Sequence, residues 1–159
     1  MNFRRIALFF TLSAVVALLM GCGPRRPSDL PRLYPCHLTV LLEDGTPVED
    51  AVVTLVNVIS EENSRWFSSG RTDSNGHVTI RTVGEFSGAP AGTYRVSVSK
   101  LGYTATGRFF DSGEEMYDAF QILDPIFTNT ETTPLTIEIK DRAVRETLRV
   151  RPAPNERRQ

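Results

Sequence analysis

The sequence predicts an all-β fold: a sandwich of about seven strands, with one short helix in an insertion. Three observations predict it. Short stretches alternate apolar and polar residues with the period of two that a half-buried strand requires. Turn clusters rich in Asp, Asn, Gly and Pro separate those stretches at regular intervals. One long segment, residues 101–134, breaks the spacing and carries a helix-like pattern of its own.

The first strand is expected from His37 to Glu43, where Cys36, Leu38, Val40 and Leu42 share the inward face. It stops at the turn Asp44-Gly45-Thr46-Pro47. Ala51–Val58 follows; its valines make both faces apolar, as in a central strand. Ser64–Ser69, with Trp66 and Phe67, is the third candidate. Thr72-Asp73-Ser74-Asn75-Gly76 is a turn, after which Val78 and Ile80 alternate with polar neighbours. Pro90-Ala91-Gly92 turns the chain into Tyr94, Val96 and Val98. In the insertion, Ser112-Gly113-Glu114-Glu115 has the form of a capping box, and Met116, Phe120 and Leu123 follow at i, i+4 and i+7. The spacing predicts a helix over 113–123. Leu135, Ile137 and Ile139 form a late strand, and Leu148 and Val150 a final edge strand. Within these turns, Gly45, Asp73, Asn75, Gly76 and Gly92 are the structural positions. Glycine permits positive φ, and the Asp and Asn side chains bond the turn backbone.

The N-terminus is of a different kind. Arg4 and Arg5 precede an uncharged run, Ile6–Met20, of 15 residues. That is the layout of an export signal and is shorter than the roughly 20 residues of a membrane-spanning helix. The run ends in Leu19-Met20-Gly21-Cys22, which resembles the lipobox of bacterial lipoproteins. The resemblance implies cleavage after residue 21, a diacylglyceryl thioether on Cys22 and an amide-linked acyl chain, of palmitate type, on its amine. Two or more chains make a stable anchor, since each buried CH₂ contributes about 0.8 kcal/mol. Position 23 is Gly and not Asp, so the inner-membrane retention signal of some bacteria is absent. The expected address is therefore the outer membrane, facing the periplasm or the cell surface. Residues 22–35 hold Pro24, Pro27, Pro31 and Pro35 and read as an extended tether that could span on the order of 40 Å. The expected organisation is signal peptide 1–21, tether 22–35, sandwich 36–151 with the insertion 101–134, and flexible tail 152–159.

Three turn motifs carry a family likeness. Asp44-Gly45-Thr46-Pro47-Val48-Glu49-Asp50-Ala51-Val52-Val53 resembles the opening of the carboxypeptidase regulatory-like, transthyretin-like domains. Thr72–Ile80 is similar to their second signature and Gly88–Val98 to their third. The likeness covers about residues 36–100 and implies a prealbumin-like or Ig-like sandwich. It does not imply catalysis, because in carboxypeptidases this domain accompanies a separate zinc enzyme. Val78 stands where the pattern has an aromatic residue, and the 101–134 insertion is extended. Related transthyretin-like hydrolases end in a characteristic tetrapeptide closing in serine, which the tail Asn155–Gln159 does not match.

Composition narrows the function further. From Cys22 onward the chain holds 16 Lys and Arg against 19 Asp and Glu, without a basic cluster, which argues against nucleic acid as a partner. His37 and His77 are the only histidines, too few for a zinc site, and strand alternation turns His37 away from Cys36. With Cys22 acylated, Cys36 has no partner within the chain and reads as a buried apolar residue. Asp111, Glu114, Glu115, Asp118 and Asp124 are acidic neighbours without the spacing of an EF-hand, and read as a solvated helix face. The reading calls for no catalytic residue, metal or cofactor. What remains is a non-enzymatic envelope lipoprotein, held in the membrane by its lipid and able to contact an envelope protein, with the 101–134 segment as its distinctive surface. The alternative is an envelope-polysaccharide module using Trp66 and Phe67, or Phe109 and Phe110, as stacking platforms.

Overall fold

The computed structural model describes residues 25–58 and 65–154. Cys22 and its lipobox residues Leu19, Met20 and Gly21 lie outside the described residues. The fold is all-β, as its alternation requires. Two sheets face each other. The larger contains β3 (Val52–Asn57), β4 (Ser68–Arg71), β6 (Arg81–Thr82), β7 (Phe86–Ser87), β9 (Gly92–Ser99) and β12 (Thr136–Ile139), ordered β12-β9-β3-β4-β6-β7. The smaller is β13 (Val144–Val150), β2 (Cys36–Leu42) and β5 (His77–Thr79), ordered β13-β2-β5. A two-residue pair, β1 (Leu33–Tyr34) with β8 (Ala89–Pro90), closes one end. β10 (Leu101–Phe109) and β11 (Glu115–Gln121) pair only with each other among the described strands.

The core is the sum of the inward alternations. Cys36, Leu38 and Val40 of β2 and Leu148 and Val150 of β13 meet Val53 and Leu55 of β3, Tyr94, Val96 and Val98 of β9, and Ile137 and Ile139 of β12. The chain passes between sheets at Ile80, fully buried, whose N–H donates to the Cys36 carbonyl while its own carbonyl accepts from Gly88. β13 runs parallel to β2, Val144 opposite Cys36 and Val150 opposite Leu42. Tyr94 buries its ring and donates its hydroxyl to the Pro90 carbonyl at 2.8 Å, the corner arrangement common in β-sandwiches.

Four expectations need correction. The helix expected at 113–123 is a hairpin. Gly113 has φ +85°, outside the helical region, and Ser112 bonds Glu114 across a tight loop instead of capping a helix. The short helix, α1 (Pro125–Thr128), lies just beyond, with Asp124 as its cap and proline in its first turn. The tether docks in its second half. Leu30 is buried, β1 joins β8, and Val144 donates to the Pro35 carbonyl at 2.8 Å. The start of the tail is also held, because Ala153 donates to the Ile122 carbonyl at 2.8 Å and Pro152 bridges Leu123. Finally, β3 is central but only one face is covered: Val52 and Val56 stand on the outer face, more than a third exposed.

Candidate interaction surface

The ribbon of β10 and β11 is the feature that the sandwich does not explain. β9 runs into β10 with only Lys100 between them, so a strand of the larger sheet continues past the sandwich as a free ribbon. Nine residues at about 3.3 Å each carry it about 30 Å. Its foot is firmly held. Ser99 and Gln121 bond through their side chains at 3.0 Å, and Ile122 donates to the Lys100 carbonyl at 2.9 Å. Asp124 accepts from the Ile126 N–H at 3.0 Å and from Arg151 Nε at 2.8 Å, and these bonds, the backbone one first, hold its carboxyl below the usual range. Arg151 also lies over the buried Phe127 ring.

The pairing register sets the two faces. Leu101 with Gln121, Tyr103 with Ala119, and Ala105 with Tyr117 make one face; Gly102 with Phe120, and Thr104 with Asp118, make the other. The Phe120 ring lies over Gly102, covering backbone where a β-carbon would collide with it. Beyond Ala105 the register shifts through a bulge, where Thr106 Oγ1 donates to the Met116 carbonyl at 2.9 Å. Tyr103 is 65% exposed, Phe109 64%, Tyr117 58% and Phe110 54%, and Leu101 and Phe120 are also exposed. An isolated two-stranded ribbon is marginal in water, and a monomer rarely leaves so many large apolar groups together on its surface. Both outer strand edges are unpaired among the described residues, so their alternate N–H and C=O groups face outward.

Charge on the ribbon is uneven. β10 carries Arg108; the loop and β11 carry Asp111, Glu114, Glu115 and Asp118. Arg108 reaches only Asp118, at 4.0 Å, and no basic side chain pairs with Asp111, Glu114 or Glu115 among the described residues. The expected acidic cluster is therefore divided, since Asp124 belongs to the foot.

The other positions read from sequence lie apart from the ribbon, in turns, in the core and on the outer face of the smaller sheet. Asp44 Oδ1 accepts from the Thr46 N–H at 2.9 Å, and Gly45 donates to the Leu42 carbonyl at 3.0 Å. Asp73 Oδ1 accepts from the N–H groups of Asn75 at 2.9 Å and His77 at 2.8 Å. Gly92 lies against the Asn57 side chain, where a β-carbon would collide. Cys36 is fully buried; burial first, then the nearby Glu146 charge, pushes its thiol up to about 12, so it is inert as a nucleophile at neutral pH. His37 faces outward and meets Thr79 Oγ1 at 3.1 Å. With Thr39, His77, Arg145, Glu146 and Thr147 it lines a shallow depression of about 440 Å³ on the outer face of the smaller sheet. Trp66 is half-buried beneath the Arg65 guanidinium, 5.0 Å from its ring centre, and Phe67 is exposed. Sequence reasoning located the segment that holds the ribbon but mistook its form. The signal was there in the β-favouring residues Tyr103, Thr104 and Thr106, since a strand there requires a cross-strand partner.

No family model matches the chain, and no curated protein is significantly similar to it. Among solved structures, it is similar to a 9R-lipoxygenase from Cyanothece, at 16% identity and TM-score 0.43, over 94% of this chain and 21% of that one. It is also similar to the major pilin subunit of Bacillus cereus in two structures. Identities are 17% and 15%, TM-scores 0.42 and 0.38, and coverage 76% and 77% of this chain against 30% and 31% of the pilin. The chain thus spans less than a third of each of these proteins.

Proposed function

We propose that this chain is a lipid-anchored, non-enzymatic module of the bacterial cell envelope, and that its projecting ribbon docks onto a partner protein. The observation that carries the docking is the ribbon itself: large exposed aromatic groups on both faces and at the tip, and two strand edges that pair with no strand of the sandwich among the described residues. A ribbon of this kind gains stability from a partner that adds strands to its edge and covers its rings. The lipobox-like Leu19-Met20-Gly21-Cys22 supports the anchor. The docked second half of the proline segment leaves only the residues before about Leu30 as spacer, which holds the sandwich near the membrane surface.

Two experiments test this. Intact-mass measurement and membrane fractionation of the wild type and Cys22→Ala test the anchor. A chain beginning at Cys22, heavier by a diacylglyceryl group and membrane-bound, is expected for the wild type; a soluble, unmodified wild type refutes the anchor. Replacing residues 102–120 by a short Gly-Ser turn tests the docking. The sandwich is expected to keep its melting temperature and lose its crosslinks to protein neighbours in intact cells. Unchanged crosslinks refute docking through the ribbon. A polysaccharide ligand has one observation in its favour: Tyr103 and Tyr117 are diagonal neighbours on one face. Titration heat with envelope polysaccharide that disappears in Tyr103→Ala/Tyr117→Ala would favour that ligand over a protein.

A further inference from the structure

We propose that the partner of the ribbon is a second copy of this chain, which receives the β11 edge of its neighbour along its own β13 edge. This rests on the docking reading above and names its occupant.

The argument starts from edges. β13 pairs with β2 on one side and with no described strand on the other along Val144–Val150, an edge of seven residues that residues 122–124 of the same chain close just beyond, at residues 151–153. β11 offers a free edge of the same length, seven residues. Joining them would build one continuous sheet, the ribbon of one copy beside β13, β2 and β5 of the next. The ribbon's length allows it to reach beyond its own sandwich to do so.

Charge selects both the strand and the acceptor. The carboxylates of the ribbon sit on the β11 side, in Glu114, Glu115 and Asp118, while β10 holds Arg108. Along β13 and the three residues before it stand Arg142, Arg145 and Arg149, against Asp141 and Glu146. None of the three arginines forms an ion pair with a carboxylate among the described residues; Arg149 bonds only the Glu43 carbonyl, at 3.4 Å. The fourth arginine, Arg151, is engaged by Asp124. Arginines without a carboxylate partner on one edge thus complement Glu114 and Glu115 on the other, which have no basic partner among the described residues; Asp118 is already engaged by Arg108. Such complementarity sets partner choice more than affinity. On the acceptor's outer face, the shallow depression lined by His37, Thr39 and Thr147 lies beside β13, where an incoming tyrosine can settle over hydroxyl and imidazole groups. In the arrangement proposed, each copy gives its ribbon to one neighbour and receives that of another, a head-to-tail contact that repeats along a row of copies.

The test uses the full-length chain in membranes, with a photoreactive phenylalanine analogue at Tyr117 and two co-expressed copies bearing different epitope tags. The expected product is a ladder at multiples of the chain mass that contains both tags. Arg145→Glu/Arg149→Glu in the copy without the probe is expected to reduce the mixed product at least about fivefold. Glu114→Arg/Glu115→Arg in the probe-bearing copy is expected to restore it. An unchanged melting temperature in the arginine variant shows that the loss is not unfolding. A crosslink only to a different protein overturns self-docking and leaves the docking reading standing. The absence of any protein crosslink overturns both. A ladder indifferent to the charge reversals overturns the assignment of β13 as acceptor.

Discussion

Two glycines in similar turns should differ sharply in what they tolerate. Gly45 has φ +90° and Gly76 φ +75°, so alanine at either site adopts a left-handed conformation at a cost of about 1–2 kcal/mol. At Gly45 an added β-carbon meets nothing within 4 Å, and that cost is the whole effect. At Gly76 the β-carbon would overlap the Val40 carbonyl oxygen and lie 3.4 Å from the Val48 nitrogen. The oxygen cannot retreat. It accepts from the Val48 N–H at 3.0 Å, while the Val40 N–H donates to the Gly76 carbonyl at 2.8 Å. Val40 itself is fully buried in the core. Overpacking of this kind adds about 1–3 kcal/mol. Gly76→Ala should therefore cost about 2–5 kcal/mol and Gly45→Ala about 1–2 kcal/mol, in a domain whose total stability is on the order of 5–15 kcal/mol. Urea unfolding followed by circular dichroism measures both. With a slope of about 1–3 kcal/mol per molar urea, the two midpoints should separate by roughly 1 M. Equal losses at the two sites would refute the reasoning, because they would mean that the strand at Val40 yields at no cost.

Three further outcomes follow from the same structure. Val83 and Gly84 both have positive φ, 56° and 74°, in the tight turn between β6 and β7, a geometry that favours asparagine at the first position. Val83 is about half exposed, so Val83→Asn should gain about 1 kcal/mol, read as a rise of a few degrees in melting temperature; no rise would count against the turn assignment. Tyr94→Phe leaves the buried Pro90 carbonyl without its hydroxyl donor and should lower stability by about 1–2 kcal/mol in urea, with an unchanged circular dichroism spectrum. Cys36 should resist maleimide in the folded protein and react on unfolding. Its thiol is raised to about 12 when folded from 9.0, so between those values the unfolded chain gives up its proton first. Its contribution to stability is complete below about pH 9 and declines toward pH 12, a decline that should be missing from Cys36→Ala.

How far the sequence reached depended on burial. Along 36–42, 92–99 and 135–139 the period of two places Cys36, Val96 and Ile137 inward, because water excludes one face and any slip of one residue would expose it. The turns at Asp44–Pro47 and Thr72–Gly76 were equally legible, since their chemistry is local: a carboxylate accepts from N–H groups two and four residues on. The insertion was not. In 115–121 both faces of the ribbon meet solvent, so no burial imposes the period of two, and Met116, Phe120 and Leu123 fit a helical spacing although Leu123 lies past the ribbon, buried in the core. The decision came from Tyr103, Ala105 and their partners across the hairpin.

By itself, then, the sequence determined the class of fold, the inward side chains of its main strands and the turns that separate them, together with a lipobox-like N-terminus. Only the tertiary structure decided that β13 returns parallel to β2 across more than a hundred residues, that the second half of the proline segment docks, and that the insertion stands free as an aromatic ribbon. The division is physical. Periodicity and turn chemistry act within a few residues of one another, whereas strand partners and the exposure of a ribbon depend on contacts between segments far apart in the chain.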